Sequence, residues 1–478
     1  MKTYQQYING EFRDSHSKEM IEVINPFKEE VIALAPNGDA EDAEAALNAA
    51  KDSQPGWAAI AACERADFLK KMAVIIRSNR IELAKTLAEE QAKVLGLAQV
   101  EIDVTAEYFD YYAGWARNYE GEIIQSDRAK ENILLLRQPF GVVVGICPWN
   151  FPFFVMARKV APALLTGNTV IIKPSSETPN TTFEFAKLVN ELGLPKGVLN
   201  IISGNGNTLG AALVKNPITD MVSLTGSVEA GQKVLLATAE NVCKASLELG
   251  GKAPAIVCDD ADLDLAVKAI VASRVIFSGQ VCNCAERVYV DEAVADEFID
   301  KLALAMSKVK YGDPFADPNP DMSCQISNDQ LGKIAAMVNR AKGAGAEILL
   351  GGERAESFKK GFFYKPTLLV DCSQNMEIMR REIFGPVLPV MKVSGIDEAL
   401  DLANDCEYGL TSSIFTNDIK LMMRACNELK FGETYVNREH FEAMQGFHAG
   451  WRKSGIGGAD GKHGLYEYLQ THVVYIQY

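Results

Sequence analysis

At 478 residues the chain exceeds what one ordinary hydrophobic core accommodates, so two or three domains are expected, and 48% hydrophobic residues supply large cores. The net charge of −15, with no basic block, excludes a nucleic-acid or anionic-membrane partner and favours small-molecule chemistry. The first residues lack an apolar signal core and no window offers about 18 uncharged apolar residues; the 10 cysteines lie at irregular spacings, so reduced thiols in a cytoplasmic protein without a metal site are expected.

From about Ala43 to Lys93 apolar residues recur at helical spacing, with Phe68, Leu69, Met72, Ile75 and Ile76 as core, which predicts a helical pair or triplet. Short apolar runs alternating with helical stretches follow at 142–146, 170–172, 198–202 and 221–224. Continuous β-branched runs of this kind predict a parallel sheet covered on both faces, which binds ligands at the carboxyl ends of its strands. The loops at those ends are Pro148-Trp149-Asn150, Lys173-Pro174-Ser175-Ser176, Ser203-Gly204-Asn205-Gly206 and Thr225-Gly226-Ser227. A second set of runs at 255–257, 288–290, 348–350, 367–370 and 387–390 predicts another sheet, with the boundary at 248–252, where Gly250 and Gly251 permit a crossover. The runs 132–136 and 473–476 fit neither sheet and are expected to pair with each other or with another subunit.

Three loops carry candidate chemistry. Gly226-Ser227-Val228-Glu229-Ala230-Gly231 follows a strand and opens a helix, so its N–H groups suit a pyrophosphate; it is not GxGxxG and reads equally as a tight turn. Lys173 either reaches a ribose hydroxyl or is solvated. In Ser278-Gly279-Gln280-Val281-Cys282-Asn283-Cys284, Cys282 is either a nucleophile presented at a bend or a small core residue.

Six segments occur in one chain in this order: Pro148-Trp149-Asn150-Phe151-Pro152, Ile172-Lys173-Pro174-Ser175, Leu224-Thr225-Gly226-Ser227, 247–252 (LELGGK), Gly279-Gln280-Val281-Cys282 and Glu382-Ile383-Phe384-Gly385-Pro386. Together they resemble the aldehyde dehydrogenase superfamily over essentially the whole chain. The tail from Glu439 to Leu469, with Phe441-Glu442-Ala443-Met444-Gln445-Gly446-Phe447-His448-Ala449-Gly450-Trp451, resembles the bacterial lactaldehyde/glycolaldehyde dehydrogenase branch.

The resemblance implies an α/β aldehyde dehydrogenase-like fold. Residues 1–120 and 140–247 would form a Rossmann-like NAD(P)-binding domain, 248–455 the catalytic domain, and 121–139 with 456–478 an oligomerisation arm supporting a homo-oligomer, expected to be a tetramer. It implies that Cys282 attacks the aldehyde to give a thiohemiacetal and then a thioester. Asn150 would donate to the oxyanion, and Glu248 would activate the hydrolytic water. Cys147, Lys173, Pro174, Ser175, Ser176, Ala211, Gly226, Ser227, Glu382 and Phe384 would hold NAD. Arg158, Asn283, Glu442 and His448 would line a pocket for lactaldehyde or glycolaldehyde.

On the residues alone, Asn150 could instead cap a turn, Arg158 could form a structural ion pair and His448 could be a packed ring. Two departures from the family pattern stand out. Phe277 replaces a frequent asparagine, which predicts a less rigid cysteine loop; Ser176 replaces the usual glutamate, which predicts tolerance of NADP. A succinate-semialdehyde dehydrogenase, with Arg158 on the distal carboxylate, is the alternative enzyme. A non-catalytic structural protein retaining the fold is the alternative of another class.

Overall fold

Helices Ala40–Ala59, Ala62–Ser78 and Arg80–Gln91 occupy the first periodic stretch in the computed structural model, which describes residues 1–478. The first begins at a reciprocal cap: the Asp39 side chain accepts from the backbone of Glu41 and Asp42, and Asp42 accepts from the Asp39 N–H. Leu69, Met72 and Ile76 are fully buried. Phe68 packs at the rim of the same core.

The main sheet has five parallel strands in the order Lys244–Glu248, Met221–Thr225, Val142–Ile146, Thr169–Lys173 and Leu199–Ile201. Gly455–Ile456 closes one edge antiparallel, and Gln6–Ile8 with Glu11–Arg13 closes the other. Val142–Ile146 comes first among the parallel strands in sequence yet lies in the middle, between Thr169–Lys173 and Met221–Thr225. The connections therefore run outward in both directions from it, and a crevice opens at its carboxyl end. Val143, Val144, Val170, Ile171 and Ile172 are completely buried, as a sheet covered on both faces requires.

The backbone leaves this sheet at Glu248 and begins the second at Ala253. The crossing needs glycine for space: a Cβ on Gly250 would lie 2.4 Å from Glu382 Oε2, and one on Gly251 would lie 2.5 Å from the Cys282 carbonyl oxygen. The second sheet runs Glu347–Leu350, Thr367–Val370, Val387–Val393, Ala285–Asp291, Ala253–Val257, Thr411–Phe415 and Glu433–Val436. Only Glu347–Leu350 is antiparallel to its neighbour.

The two runs left over in the sequence pair with each other. Leu469–Gln477 lies antiparallel to Glu131–Pro139, from Leu469 opposite Pro139 to Gln477 opposite Glu131, with Glu122–Gln125 on the far side. This small sheet projects Ile123 (79% exposed) and Tyr475 (66%) into solvent. It begins later than expected. Gly455–Ile456 belongs to the main sheet, and Leu465 and Tyr468 are buried in the large helical core, so residues 456–468 are tied to the body. Their short edge strand and seven-residue helix Gly461–Glu467 carry too little periodicity to be seen in the sequence. A fourth sheet, of Lys2–Thr3, Glu30–Pro36 and Met20–Asn25, was not anticipated.

Candidate active site

Cys282 follows a turn that only a few residue types tolerate. After helix Leu263–Val275, Phe277, Ser278 and Gly279 adopt successive left-handed conformations with φ of 44°, 56° and 75°. A Cβ on Gly279 would meet the Gly385 carbonyl at 2.2 Å. The turn is pinned throughout: Ser278 Oγ donates to the Ser323 carbonyl (2.9 Å), Gln325 Nε2 to the Ser278 carbonyl (3.1 Å) and the Ile326 N–H to Gln280 Oε1 (2.9 Å), while Arg274 donates to the Gly279 carbonyl. Phe277 sets its ring edge-on to Trp149 and Phe151 and lies under the Lys93 ammonium, 4.4 Å from the ring centroid. Aromatic and cation–π packing thus stands at Phe277 in place of the polar contact that an asparagine would offer. Cys284 is buried, its thiol donating to the Val281 carbonyl (2.9 Å), and burial pushes it up to about 12.

Asn150 lies in the loop after the central strand, and its carbonyl accepts from Lys93 Nζ (2.7 Å) and Gln91 Nε2 (2.9 Å). Its side-chain amide donates to the Gln280 carbonyl at 3.0 Å, which draws the Asn150 loop to the cysteine loop and leaves a second amide hydrogen. Lys93 forms a fully buried ion pair with Glu101. The other Glu101 oxygen accepts from the N–H groups of Phe153 and Phe154, which open helix Pro152–Leu165.

Glu248 ends the edge parallel strand, buried, its carboxylate 3.3 Å from Thr225 Oγ1. Lys159 Nζ donates to that hydroxyl (3.0 Å), and Arg158 Nη1 stands 3.8 Å from Glu248 Oε2. Arg158 also binds Asp460 through Nε (3.1 Å) and Nη2, and Glu442 through Nη2 (2.8 Å). The Tyr108 hydroxyl donates to Asp460 at 2.7 Å. Burial works to raise the Glu442 carboxyl, yet Arg158 and His448 bring it below its ordinary range; for Asp460 burial prevails and raises it. Asn283 Nδ2 donates to Glu442, while Asn283 Oδ1 is buried with no partner. His448 Nδ1 lies 2.6 Å from Glu433 Oε1.

Two cavities meet here. One, of ≈ 500 Å³, is lined by Phe151, Phe154, Val155 and Val281 together with Arg158, Asn283, Glu442, His448 and Asp460. The other, of ≈ 870 Å³, runs past Cys147, Gly226, Ser227, Glu382 and Phe384. Asn150, Thr225, Glu248, Leu249 and Cys282 line both, so the thiol and the buried carboxylate stand at the junction. A third space of ≈ 550 Å³ lies between Lys173, Ala211 and Ser227.

These crevices fit a nicotinamide dinucleotide. Lys173 Nζ is buried with one long contact, to the Pro174 carbonyl (3.3 Å), and burial lowers it to about 8, which leaves ammonium hydrogens for ribose hydroxyls. Helix Val228–Thr238 begins at the crevice with Ser227 as its cap. Glu382 accepts from the Gly251 N–H (2.9 Å), and burial with Glu286 nearby pushes it up to about 8. Phe384 packs edge-on to Trp149 at 5.4 Å. Cys147 is buried and pushed up to about 11. Pro174, Ser175 and Ser176 continue from Lys173 but line none of these spaces; Ser176 Oγ donates to the Gly204 carbonyl at 3.2 Å.

Every residue expected at the catalytic and aldehyde sites therefore converges. Asp460, Glu433 and Glu101 were not singled out in advance, and Thr225 and Lys93 were named only as members of longer segments. Asp460 sits between Gly457-Gly458-Ala459 and Gly461 at a φ of 72°, a turn signal that could have marked it. Arg158 proves to be both pocket lining and ion-pair partner.

A doubly wound sheet whose crevice ends on a half-buried cysteine beside a buried carboxylate and a buried amide has the arrangement of a dehydrogenase of the thiol type. The aldehyde dehydrogenase family pattern matches residues 12–474; the chain belongs to that family and is an NAD(P)-dependent aldehyde dehydrogenase. Lactaldehyde dehydrogenase of Escherichia coli strain K12 is 56% identical over 471 residues, 98% of each chain. The crystal structure of the E. coli enzyme superposes with a TM-score of 0.98 at 55% identity, covering 100% of both chains. The 3,6-anhydro-α-L-galactose dehydrogenase of Vibrio sp. EJY3 is 44% identical over 480 residues, 100% of each chain.

Proposed function

We propose that the protein oxidises a small 2-hydroxyaldehyde, lactaldehyde or glycolaldehyde, to its carboxylate, with Cys282 as nucleophile. The bound nicotinamide nucleotide supplies the hydride acceptor. Cys282 Sγ adds to the aldehyde carbon, and the free Asn150 amide hydrogen with the Cys282 N–H holds the oxyanion. Once the thioester has formed, Glu248 takes a proton from water, which attacks the acyl carbon and expels the thiolate. Thr225 and Arg158 hold the Glu248 carboxylate toward the junction. Lys173, Ala211, Gly226, Ser227, Glu382 and Phe384, with Cys147 behind them, hold the nucleotide. NAD is the expected partner and NADP is tolerated, since Ser176 presents no charge against a 2′-phosphate.

The observation that carries the substrate class is the saturation of Arg158 by Asp460 and Glu442 beside an unsatisfied Asn283 Oδ1. Glu248, Glu433, Glu442 and Asp460 surround Arg158 and His448, so acids outnumber bases at the cavity. A distal carboxylate would enter surplus negative charge without a free arginine, which counts against the succinate-semialdehyde alternative. A neutral hydroxyl can instead donate to Asn283 Oδ1. Sites that hydrogen-bond a substrate hydroxyl reject analogues lacking it. Steady-state kcat/KM with either nucleotide tests this: lactaldehyde is expected to exceed propanal by about 100-fold or more, with succinate semialdehyde below both. Succinate semialdehyde matching lactaldehyde would sink the assignment.

A further inference from the structure

Asp460 stands just before helix Gly461–Glu467, where an aspartate ordinarily caps the helix by accepting from its first N–H groups. Its side chain makes no cap bond, and its backbone takes φ 72° and ψ 160°, a conformation that favours glycine. The turn is stitched down around it. The Ala459 N–H donates to the His448 carbonyl (2.8 Å), the Gly461 N–H to the Met444 carbonyl (2.8 Å) and the Tyr112 hydroxyl to the Gly461 carbonyl (3.2 Å). A cap and a relaxed backbone are both given up, and the carboxylate is turned onto Arg158, Oδ1 accepting from Nε (3.1 Å) and Oδ2 from Nη2. Oδ1 also accepts the Tyr108 hydroxyl at 2.7 Å. Asp460 is 0% and Arg158 5% exposed, so solvent screens the pair little.

The three acids near Arg158 differ in what else they do. Glu442 accepts from Arg158 Nη2 (2.8 Å) and also from Asn283, and Glu248, 3.8 Å from Nη1, is held for the hydrolytic water. Asp460 has no hydrogen-bond partner besides Arg158 and Tyr108. The Phe154 ring covers the guanidinium, its centroid 4.7 Å from Cζ, so the arginine keeps a fixed plane beside the cavity it lines. We propose that Asp460 sets the substrate range of this cavity by cancelling the charge of Arg158, so that a neutral hydroxyl is admitted and an aldehyde with a distal carboxylate is refused. Surplus charge of one sign placed against the wrong substrate is a general route to specificity. Without the Asp460 charge, the guanidinium would keep its place on Phe154 and Glu442 and have positive charge to spare for a carboxylate. Asp460 acts through Arg158 and is a positioning residue.

This role rests on the reading of the cavity as the aldehyde site, yet the two fail separately: lactaldehyde used no better than propanal would end the hydroxyaldehyde assignment and leave the role of Asp460 standing. Wild type, Asp460→Asn and Arg158→Gln/Asp460→Asn are compared on succinate semialdehyde and propanal with the same nucleotide. Asparagine keeps an oxygen for Arg158 Nε and tolerates the positive φ. In Asp460→Asn, kcat/KM for succinate semialdehyde divided by that for propanal is expected to rise about tenfold or more, through a lower KM for the semialdehyde. Arg158→Gln/Asp460→Asn, which removes both charges of the pair, is expected to lose that gain. An unchanged or lower ratio in Asp460→Asn, the mark of a packing role, overturns the proposal, and so does a gain that survives the loss of Arg158. Wild type gives a reading that needs no variant to fold: succinate is expected to inhibit propanal oxidation no more strongly than propionate does. Stronger inhibition by succinate would show Arg158 open to a carboxylate and overturn the proposal.

Discussion

Asn283 offers the clearest test of how single residues choose the substrate, because its amide divides its work. Nδ2 donates to Glu442, and Oδ1 is buried without a partner. Replacing it by alanine removes the acceptor, so kcat/KM for lactaldehyde is expected to fall by about tenfold or more while that for propanal changes little. An equal loss for both would assign Asn283 to packing. Ser176 bears on the nucleotide: Ser176→Glu is expected to lower kcat/KM with NADP far more than with NAD, by about tenfold or more, through repulsion of the 2′-phosphate. Unchanged discrimination between the two nucleotides would remove Ser176 from the cofactor site. At this scale, the residues legible in the sequence were those in contiguous motifs, Cys282, Glu248 and Asn150. Asp460 and Glu433 were not, because their meaning lies in partners far along the chain: Arg158 and Asp460 are 302 residues apart. A carboxylate in a glycine-rich turn gives no sign of the guanidinium that the fold brings to it.

Among the elements, the Lys93–Glu101 pair joins three segments. It fixes the Asn150 carbonyl, the start of helix Pro152–Leu165 and, through the rings of Phe151 and Phe277, the cysteine turn. Both side chains are completely buried, so breaking the pair leaves a bare charge in the core. Lys93→Met is expected to cost about 3–5 kcal/mol in denaturant unfolding, with Lys93→Met/Glu101→Gln recovering part of it. A double variant less stable than Lys93→Met would contradict this. The parallel strands were readable because a short continuous β-branched run between turn residues suits a strand buried on both faces and little else. The edge pieces were not: Gly455–Ile456 and Lys2–Thr3 have two residues each, too short for any period, and their places are set by the neighbours they cover.

Across the whole molecule, the exposed three-stranded sheet is the feature that the rest of the chain does not explain. Ile123, Val473, Tyr475 and Ile476 face solvent on an antiparallel ribbon, a surface suited to a second copy of the chain. Removal of residues 471–478 is expected to convert a homo-oligomer, proposed as a tetramer, into monomers or aggregates in sedimentation velocity. A fully assembled truncation would refute that role. The pairing of the two leftover runs was among the sequence alternatives. The attachment of 456–468 to the body was not, since Leu465 and Tyr468 acquire their place only from the core they fill.

Whether Cys282 carries the acyl group of a hydroxyaldehyde until Glu248 releases it can be read directly from one variant. Glu248→Gln keeps the side-chain size and removes the base. Mixed with lactaldehyde and NAD, then acid-quenched and digested, it is expected to show a lactoyl group on the Cys282 peptide, close to one per chain, after a single burst of NADH and with turnover slowed by about 10²–10⁴. An unlabelled Cys282 peptide, or undiminished turnover, would contradict that role for the two residues.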